Sequence, residues 1–506
     1  MTGDRVPPRG AGARAEVRAL IDEALEVYRD DAAATAALRD RRQRLGGPLR
    51  VALVGQVKAG KSTLLNALVG ERLAATDAGE CTRVVTWYRQ GPMPAVTVEL
   101  ADGSSRGTPV RRENGELLLD LGGTPADDVA RVVVDWPAAA LAATTLIDTP
   151  GLASIGAAAG ARTERFVDAE DGPGADAVVF LTRQVQSEDL AFLGRLQAAA
   201  GVEGLPATTL TVLSRADEVG SGRLDSLLVA EETARRTAAD PAVRALSVGV
   251  VPVAGLLGLA GRTLRQQEFA ALQALASAEG ADLEVMLLTA DRFCRTDAPV
   301  PVAADLRAAL LERLGLFGIR LALALLRSGV RDAPALADEL VRRSGLAELE
   351  RLLAARFTRR SDALSSAAAV RLVQRILRAG PRPGSERREA AVERIRLGSA
   401  DLTELDLLAR LRAADPPVPA ERREEAERLL GADGTTAAER LGLASDAPED
   451  DLRAAAVAAL RRWRGWAGDP LARRREVSAS ETVARSCEAV LAGLGQTAEG
   501  SAPGGS

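Results

Sequence analysis

The spacing of apolar residues divides the chain into three regions. Residues 13–45 carry apolar residues at helical spacing up to Gly46-Gly47-Pro48, which predicts an N-terminal helix. From residue 49 to about 260, short apolar runs alternate with helical or glycine-rich stretches, a pattern typical of a mostly parallel sheet covered on both faces. Beyond about residue 300 the patterns are all helical. We therefore expect an α/β domain with a mixed, mostly parallel sheet, joined to an all-α helical bundle.

Eight segments are predicted to be strands. Val84–Tyr88, Val96–Leu100 and Arg131–Trp136 contain alternating or β-branched residues, which predicts a β meander. The other predicted strands are the apolar runs Val51–Val54, Thr144–Ile147, Ala177–Leu181, Thr208–Leu213 and Val248–Val253. Helices are predicted near 187–200, 223–238, 303–328, 333–379, 386–413, 420–431 and 449–495.

Composition excludes several kinds of chemistry. The 506 residues include no histidine, which excludes a Ser-His-Asp triad and any histidine-ligated metal. Cys81, Cys294 and Cys487 are scattered, so neither a disulfide framework nor a zinc site is expected. The net charge of −5 gives no whole-chain attraction to nucleic acid. With no recognisable signal peptide and no apolar run of about 20 residues, we expect a cytoplasmic protein whose membrane contacts are peripheral.

Lysine is almost absent from the chain. Only two of the 65 basic residues are lysines, Lys58 and Lys61, and both lie in one short stretch. Chance is one explanation of this placement. The other is that this stretch requires a compact ammonium group, which the wide planar guanidinium of arginine cannot replace.

That stretch is a P-loop, G-x-x-x-x-G-K-S, directly after the predicted strand Val51–Val54 and at the start of a helix. Its glycines let the backbone curl so that N–H groups face phosphates, and the helix adds its positive end. Lys61 is expected to reach the β- and γ-phosphate oxygens and to act in catalysis, and the Ser62 hydroxyl is expected to bind Mg2+. The predicted nucleotide-binding residues of the loop are Gly55, Gln56, Val57, Lys58, Ala59, Gly60, Lys61, Ser62 and Thr63.

Two further elements follow in the order expected of a GTPase. Thr82 lies about 20 residues after Ser62, at the distance where a switch threonine closes on Mg2+ and the γ-phosphate. We predict a catalytic and metal-binding role for Thr82, although a single threonine is weak evidence. The segment Leu146–Gly151 ends a buried strand in Asp-Thr-Pro-Gly. Asp148 is expected to hold the metal through water, and the Gly151 N–H to contact the γ-phosphate.

The last element selects the base. Ser214-Arg215-Ala216-Asp217 follows the predicted strand Thr208–Leu213 and departs from the usual [N/T]-K-x-D by carrying arginine. The carboxylate of Asp217 can accept from guanine N1–H and the 2-amino group, which adenine cannot satisfy; the alternative is an ordinary Asp at a helix N-cap. Ala254 and Gly255, after the last predicted strand, are expected to back the base with main-chain atoms.

At these motifs the sequence resembles dynamin-like GTPases, in particular the actinobacterial branch that includes isoniazid-inducible dynamin-like proteins. The resemblance rests on G-Q-V-K-A-G-K-S-T-L-L-N-A-L, C-T-R, D-T-P-G-L and S-R-A-D and covers roughly residues 49–260. It implies a P-loop GTPase domain joined to a neck and trunk of helices, Mg2+ as cofactor and GTP as substrate. It also implies a homodimer across the nucleotide face, or pairing with a second dynamin-like chain, and peripheral binding to anionic lipid at the inner face of the cell membrane.

The resemblance also suggests domain limits. We expect disordered tails at 1–12 and 501–506, a neck helix at 13–47, the GTPase domain at 48–298, helical neck and trunk at 299–435, and a C-terminal helical segment at 436–500 that returns to the bundle.

Val57 and Lys58 depart from the family pattern. Animal dynamins hold Gln and Ser at these two positions. The resemblance implies that the Gln helps to place water and that the Ser helps to bind a monovalent cation. A valine at 57 cannot place water. We predict that the Lys58 ammonium replaces the cation; the alternatives are that it points to solvent or crosses to a dimer partner.

The membrane contact has two candidate segments. One is the Gly/Pro turn rimmed by arginines at 375–388, whose alternative is a solvated helix–helix turn. The other is the basic, tryptophan-containing segment Arg461–Trp466, in which Trp463 also extends an apolar stripe typical of a core.

The function with the best support is a GTPase that self-associates with nucleotide and remodels membranes. The alternative is a GTP-gated interaction protein with slow turnover that serves as partner of a second dynamin-like chain.

Overall fold

The computed structural model describes residues 11–74, 84–113, 115–150, 175–199, 208–278, 281–297, 300–413 and 415–499. These residues form two compact units. The first contains Arg50–Leu196 and Thr209–Arg351, and the second contains the chain before Arg50, Gln197–Thr208 and the chain from Leu352 onward. We call them the sheet unit and the helical unit.

The strands of the sheet unit are, in chain order, β1 Leu49–Gly55, β2 Thr86–Gln90, β3 Ala95–Leu100, β4 Ser105–Thr108, β5 Arg111–Glu113, β6 Glu116–Leu118, β7 Val129–Trp136, β8 Thr144–Asp148, β9 Ala177–Thr182, β10 Thr209–Ser214 and β11 Val250–Val253. Nine of the described strands form one sheet in the order β11-β10-β9-β1-β8-β2-β7-β3-β4, and β5 pairs with β6. The fold class predicted from the sequence, a mixed and mostly parallel sheet followed by helices, is confirmed.

Parallel pairing dominates the half of the sheet that contains β1. β1 pairs with β9, β9 with β10 and β10 with β11, all parallel. β1 and β9 are almost wholly buried, and residues 209–214 of β10 are all buried. Continuous apolar runs of this kind are expected when a sheet is covered on both faces. The carboxyl ends of these parallel strands therefore lie at one edge of the sheet.

The predicted β meander is wrong. β2 pairs in parallel with β7 and antiparallel with β8, and β3 pairs with β7 on its far side. β7 thus lies between β2 and β3, although it follows them in sequence by some thirty residues. Strand periodicity indicates a strand but not its neighbour, because pairing is decided by tertiary packing.

The helices are, in chain order, α1 Ala11–Val27, α2 Ala32–Arg44, α3 Lys61–Val69, α4 Ser187–Ala199, α5 Ser226–Ala239, α6 Pro241–Leu246, α7 Gly255–Arg262, α8 Gln266–Ala276, α9 Ala281–Met286, α10 Ala290–Phe293, α11 Ala304–Arg327, α12 Ala333–Arg343, α13 Leu346–Arg356, α14 Ser361–Ala379, α15 Ser385–Gly398, α16 Ala400–Arg412, α17 Ala420–Leu429, α18 Ala437–Leu441, α19 Glu449–Ala467 and α20 Arg474–Glu499. The described residues after 300 contain no strand, as predicted.

A helical core packs within the sheet unit. It is built from buried apolar residues of α7, α8, α11 and α12, such as Leu257, Leu272, Phe317 and Leu340. This compact unit extends to Arg351, beyond the residue 298 at which the sequence analysis ends the GTPase domain. The domain limits given above stay predictions.

The N-terminal segment is two helices, not the single helix predicted over 13–45. α1 ends at Val27, and the Asp31 carboxylate caps α2 by accepting from the Ala34 N–H at 2.9 Å. Within the helical unit, α1 and α2 share a core with α14 and α15, in which Ile21, Leu38 and Val373 are fully buried.

Both candidate membrane segments contain a residue engaged within the helical unit. In the turn at 375–388, Arg382 pairs with Asp30, donates to the Val27 carbonyl at 2.9 Å, and stacks on the Tyr28 ring at 4.7 Å. Trp463 is fully buried, and its ring contacts that of Trp466 edge-on at 4.7 Å. Trp463 is therefore a core residue, as the apolar stripe that it extends in the sequence indicates.

Within the described residues, each helix is too short or too polar to cross a bilayer.

Candidate functional site

The loop after β1 can form only with glycine at its first position. A Cβ on Gly55 would lie 2.3 Å from the Leu181 carbonyl oxygen of β9, which no side chain tolerates. The loop closes at Gly60, whose φ of 91° is in the left-handed region. Gly60 is also the N-cap of α3, so the positive end of this helix points into the loop.

Lys61 is held inside the loop. Its Nζ donates to the carbonyl oxygens of Gly55 and Gln56, each at 3.1 Å, and the residue is 9% exposed. Burial lowers the pKa of this ammonium, and nearby Asp148 acts in the opposite direction. The loop thus carries one concentrated, poorly hydrated positive charge, which suits the binding of phosphate oxygens.

Ser62 and Asp148 meet at the ends of α3 and β8. The Ser62 hydroxyl donates to Asp148 Oδ2 at 2.8 Å. The second carboxylate oxygen, Oδ1, is buried and has no hydrogen-bond partner among the described residues. Burial raises the pKa of Asp148, while Lys61 and Ser62 lower it. The next side chain, Thr149, fixes this segment to β1 by donating to the Leu53 carbonyl at 2.8 Å.

These two oxygen ligands fit Mg2+. A hydroxyl and a carboxylate are the hard oxygen donors that this ion prefers, usually beside several waters and phosphates. The Oδ1 atom of Asp148 has no hydrogen-bond partner among the described residues, so this oxygen is available to bind a metal ion beside the Ser62 hydroxyl.

A hydrogen bond connects the P-loop to the predicted base-selecting loop. The Arg215 guanidinium donates from Nη2 to the Lys58 carbonyl at 3.2 Å and from Nη1 to Glu218 at 2.7 Å. Lys58 and Arg215 have φ of 62° and 55°, and they are the only non-glycine residues in the described chain with positive φ. Such conformations cost about 1–2 kcal/mol each and concentrate at functional sites.

A cavity of about 220 Å3 opens between the two loops. Asp217 lines it and has no side-chain partner among the described residues. Burial raises the pKa of Asp217, and neighbouring Glu218 adds to this. The residues that surround the cavity are Ala59, Gly60, Thr63, Leu64, Leu181, Val212, Ser214, Arg215, Asp217, Glu218, Val253, Gly255 and Leu256.

The far wall of the cavity is formed where β11 passes into α7. Gly255 begins α7, and a Cβ there would contact Thr63 of α3 at 3.6 Å. The Ala254 N–H donates to the Ser344 carbonyl at 2.8 Å, which fixes this backbone. Gly345, with φ of 78°, allows that approach, since its Cβ would lie 2.1 Å from the Pro252 carbonyl oxygen.

Two P-loop side chains do not face a reaction centre in the described structure. The Gln56 amide donates to Asp189 Oδ1 at 3.5 Å, and Asp189 is buried at the start of α4. Val57 is 44% exposed and apolar. As the sequence indicates, the side chain at 57 cannot orient water.

The structure thus brings most of the predicted site residues to one edge of the sheet, where β1, β8, β10 and β11 end. Thr82 and Gly151 lie outside the described residues. The sequence analysis missed Leu181, Leu256 and Asp189. Leu256 directly follows a predicted site residue and could have been found from it. Leu181 and Asp189 come from segments with no nucleotide-binding motif, so only the folded structure shows that they lie beside the site.

The chain is similar to several known proteins. Residues 51–186 match the model of the dynamin family. The chain is 39% identical over 487 residues to isoniazid-induced protein IniC of Mycobacterium tuberculosis, covering 94% of this chain and 98% of that protein. It is 33% identical over 142 residues to the bacterial dynamin-like protein of Nostoc punctiforme, covering 25% of this chain and 20% of that protein.

A solved structure described as "An oligomerised bacterial dynamin pair provides a mechanism for the long-range sensing and tethering of membranes" aligns with 98% of this chain and 79% of its own, at 11% identity and a TM-score of 0.30. A TM-score this low supports no conclusion about assembly.

We expect Asp217→Asn to reduce the preference for GTP over ATP by about tenfold or more, since an amide cannot accept from both guanine donors as a carboxylate does. Competition binding with both nucleotides measures the change. Asp225→Asn removes the same charge from the exposed ion pair with Arg223 and is the matched control. An unchanged preference in Asp217→Asn would exclude the assignment to guanine.

Proposed function

The chain belongs to the dynamin family, and on this premise we propose that it hydrolyses Mg2+–GTP to GDP and phosphate and that nucleotide controls its association with other chains and with membrane. The observation that best supports this is the contact of Ser62 with Asp148 at 2.8 Å beside the buried Lys61, on the P-loop that also borders the cavity containing Asp217.

The phosphates would bind within the loop from Gly55 to Thr63. Lys61 supplies a positive charge that no other side chain of the loop can supply from inside, and the α3 N-terminus adds its dipole. Both are present before nucleotide binds, so they would stabilise the charge of the reacting γ-phosphate without rearrangement in the transition state.

Ser62, Asp148 and, by sequence, Thr82 would hold the metal. Mg2+, when bound, neutralises charge on the β- and γ-phosphate oxygens. The chain's contribution is to present the Ser62 hydroxyl and the Asp148 carboxylate together at 2.8 Å and to shield Asp148 from bulk water.

The base would enter the cavity of about 220 Å3. Asp217 would accept the two guanine donors, the Arg215 stem would cover one face, and the backbone at Ala254 and Gly255 would support the other side. A largely buried carboxylate on the wall of the cavity favours a ligand that places donors there.

Neither Val57 nor Gln56 of the P-loop can position the attacking water, because Val57 is apolar and the Gln56 amide donates to Asp189. This observation favours the second candidate function, a GTP-gated interaction protein with slow turnover that acts as partner of another dynamin-like chain.

Turnover measured against protein concentration separates the two candidates. For the GTPase we expect phosphate release per chain to rise with concentration, because self-association across the nucleotide face would complete the site. Flat and very low turnover in a parent protein that binds GTP tightly would support the interaction protein instead.

We expect Lys61→Ala to weaken GTP binding by about tenfold to a hundredfold, because this is the range of affinity that a hydrogen bond to a charged group contributes.

We further propose that the Lys58 ammonium supplies the positive charge that a monovalent cation supplies in related proteins. Its backbone is in the left-handed region, its carbonyl accepts from Arg215, and its side chain is exposed. We expect turnover to be equal in K+, Na+ and a bulky organic cation at matched ionic strength. Lys58→Ser should cut turnover by at least about tenfold with little effect on binding. Strong stimulation of the parent by K+ would contradict this role.

Membrane association would use the loop between α19 and α20. Leu471 in this loop is 91% exposed, and Arg473 and Arg474 follow it with no ion pair to another described residue. An exposed apolar side chain beside basic residues suits the surface of an anionic bilayer. We propose peripheral contact there, at the inner face of the cell membrane.

We expect flotation with anionic vesicles to weaken as salt is raised, because arginines contribute to the contact. Leu471→Asp should reduce flotation. Leu397→Asp is the matched control, since Leu397 of α15 is also exposed, at 70%. Equal flotation of both variants and the parent would assign the contact elsewhere, and no flotation at low salt would contradict membrane binding.

A further inference from the structure

A small cavity of the helical unit lies beside the loop between α19 and α20. It has a volume of about 110 Å3, and it shares no residue with the cavity that contains Asp217. Pockets for drug-sized ligands are usually larger than about 300 Å3, so this cavity can hold only a small chemical group. The wall residues that matter for its chemistry are Arg422 of α17, Trp463 and Trp466 of α19, Asp469 and Leu471 of the loop, and Glu476 of α20.

One wall residue carries a buried donor that has no acceptor. Trp463 is fully buried, and its indole Nε1–H has no hydrogen-bond partner among the described residues. Leaving a buried donor without an acceptor is unfavourable, and such groups are rare in folded proteins. Trp463 therefore favours a ligand that brings an acceptor oxygen to this cavity.

Arg422 supplies positive charge to the same cavity. Its guanidinium carbon lies 4.3 Å from the centre of the Trp466 ring, and it forms no ion pair with a described residue. A guanidinium stacked on an aromatic ring still donates hydrogen bonds from its edge. Charge-assisted hydrogen bonds to phosphate oxygens are among the stronger ones that arginine forms. A phosphate group therefore suits Arg422 and Trp463 together.

Two carboxylates border the same cavity and oppose a ligand that is anionic throughout. Asp469 Oδ1 accepts from the Leu471 N–H at 2.9 Å, which leaves its other oxygen for a ligand. Glu476 forms no ion pair with a described residue. A ligand that carries an ammonium group beside its phosphate would meet charges of the opposite sign at both ends.

The contacts of the tryptophans favour a primary ammonium over a quaternary one. Quaternary ammonium groups are recognised by open aromatic faces that surround them. Here the Arg422 guanidinium covers one face of Trp466, and the rings of Trp463 and Trp466 meet edge-on at 4.7 Å. A primary ammonium has three N–H donors, for which carboxylates are good acceptors.

We propose that this cavity binds a phosphoethanolamine group. The phosphate oxygens accept from Arg422 and Trp463. The ammonium donates to Asp469 and Glu476.

Leu471 indicates that the source of this group is a lipid. Its side chain lines the cavity and is 91% exposed. An exposed apolar side chain beside a headgroup-sized cavity suits the boundary between the headgroups and the acyl chains of a bilayer. The ligand is therefore the headgroup of phosphatidylethanolamine. This inference deepens the membrane contact proposed above and rests on it.

Flotation with vesicles of matched charge tests the proposal in a bilayer. Both sets of vesicles contain the same fraction of phosphatidylglycerol. The remainder is phosphatidylcholine in one set and a mixture of phosphatidylcholine and phosphatidylethanolamine in the other. Because both of these lipids are zwitterionic, the surface charge is the same. We expect the full chain to bind about tenfold more tightly when phosphatidylethanolamine is present.

Two substitutions assign this preference to the cavity. Glu476→Gln removes one negative charge at almost unchanged volume, and Arg422→Met removes the guanidinium but keeps an apolar contact with Trp466. We expect both variants to lose the preference. Glu481→Gln and Arg394→Met are the matched controls, since each changes an exposed residue that has no ion pair with a described residue, and both should keep it. A general effect of phosphatidylethanolamine on lipid packing acts equally on all five proteins.

A second measurement needs neither a membrane nor a variant. The unfolding temperature of the full chain is measured with free phosphoethanolamine and with phosphocholine at matched ionic strength. Both compounds carry a phosphate, so binding at the P-loop affects both alike. We expect phosphoethanolamine to give the larger increase, and we expect Glu476→Gln to abolish the difference.

The outcomes separate this proposal from the membrane contact on which it rests. Flotation that requires Leu471 but is indifferent to phosphatidylethanolamine would keep the membrane contact and overturn the headgroup site. Equal preferences of the parent, Glu476→Gln and Arg422→Met would also overturn the site. Absence of flotation, with a selective thermal shift from phosphoethanolamine, would support the ligand chemistry and overturn the lipid as its source. Absence of both would overturn the proposal entirely.

Discussion

The candidate nucleotide site depends on a lysine and an aspartate that the fold shields from water near the ends of two adjacent strands, β1 and β8. Lys61 is 9% exposed and Asp148 has a buried, unpaired oxygen, so that burial opposes the charged form of each. Isolating either charge would cost several kcal/mol, and this cost is reduced because each partly compensates the other. The loop carbonyls of Gly55 and Gln56 complete the environment of the ammonium, and the Ser62 hydroxyl that of the carboxylate. The arrangement is stable enough to form yet leaves charge that a nucleotide and its metal would satisfy.

The same constraint accounts for the backbone around the site. For Lys61 to fold back over its own loop, β1 must turn sharply at Gly55, where a Cβ would collide with Leu181, and again at Gly60 in the left-handed region. The second strained segment, at Arg215, is connected to the first by the hydrogen bond to the Lys58 carbonyl. One contact between residues 157 positions apart thus connects the P-loop with the loop that we predict to select the base. A substitution that alters the backbone of either loop would therefore affect the other loop through this hydrogen bond.

Much of this could be predicted from the sequence, and the rest could not for identifiable reasons. The P-loop residues are contiguous, so a local pattern sufficed to name them. The fold class followed from continuous apolar runs such as that of β9, which are typical of a sheet covered on both faces. The neighbour of β2 could not be deduced, because β7 inserts beside it from far along the chain. β4 was missed because it is polar and mostly exposed, with no alternation to detect. The contact of Gln56 with Asp189 joins two segments whose proximity only packing determines.

Charge compensation also distinguishes the two compact units, each considered by itself. In the sheet unit Lys61 and Asp148 meet at the P-loop, whereas the buried Arg313 is paired with Glu268 elsewhere in the unit. In the helical unit the tightly buried Arg440 is matched by Glu404, and the turn arginine Arg382 is matched by Asp30. Where no carboxylate lies at ion-pair distance, backbone carbonyls can take its place, as for the buried Arg360, whose Nη2 donates to the Gly431 carbonyl at 2.9 Å. Either arrangement lowers the cost of burying a guanidinium, because an isolated buried charge would cost several kcal/mol.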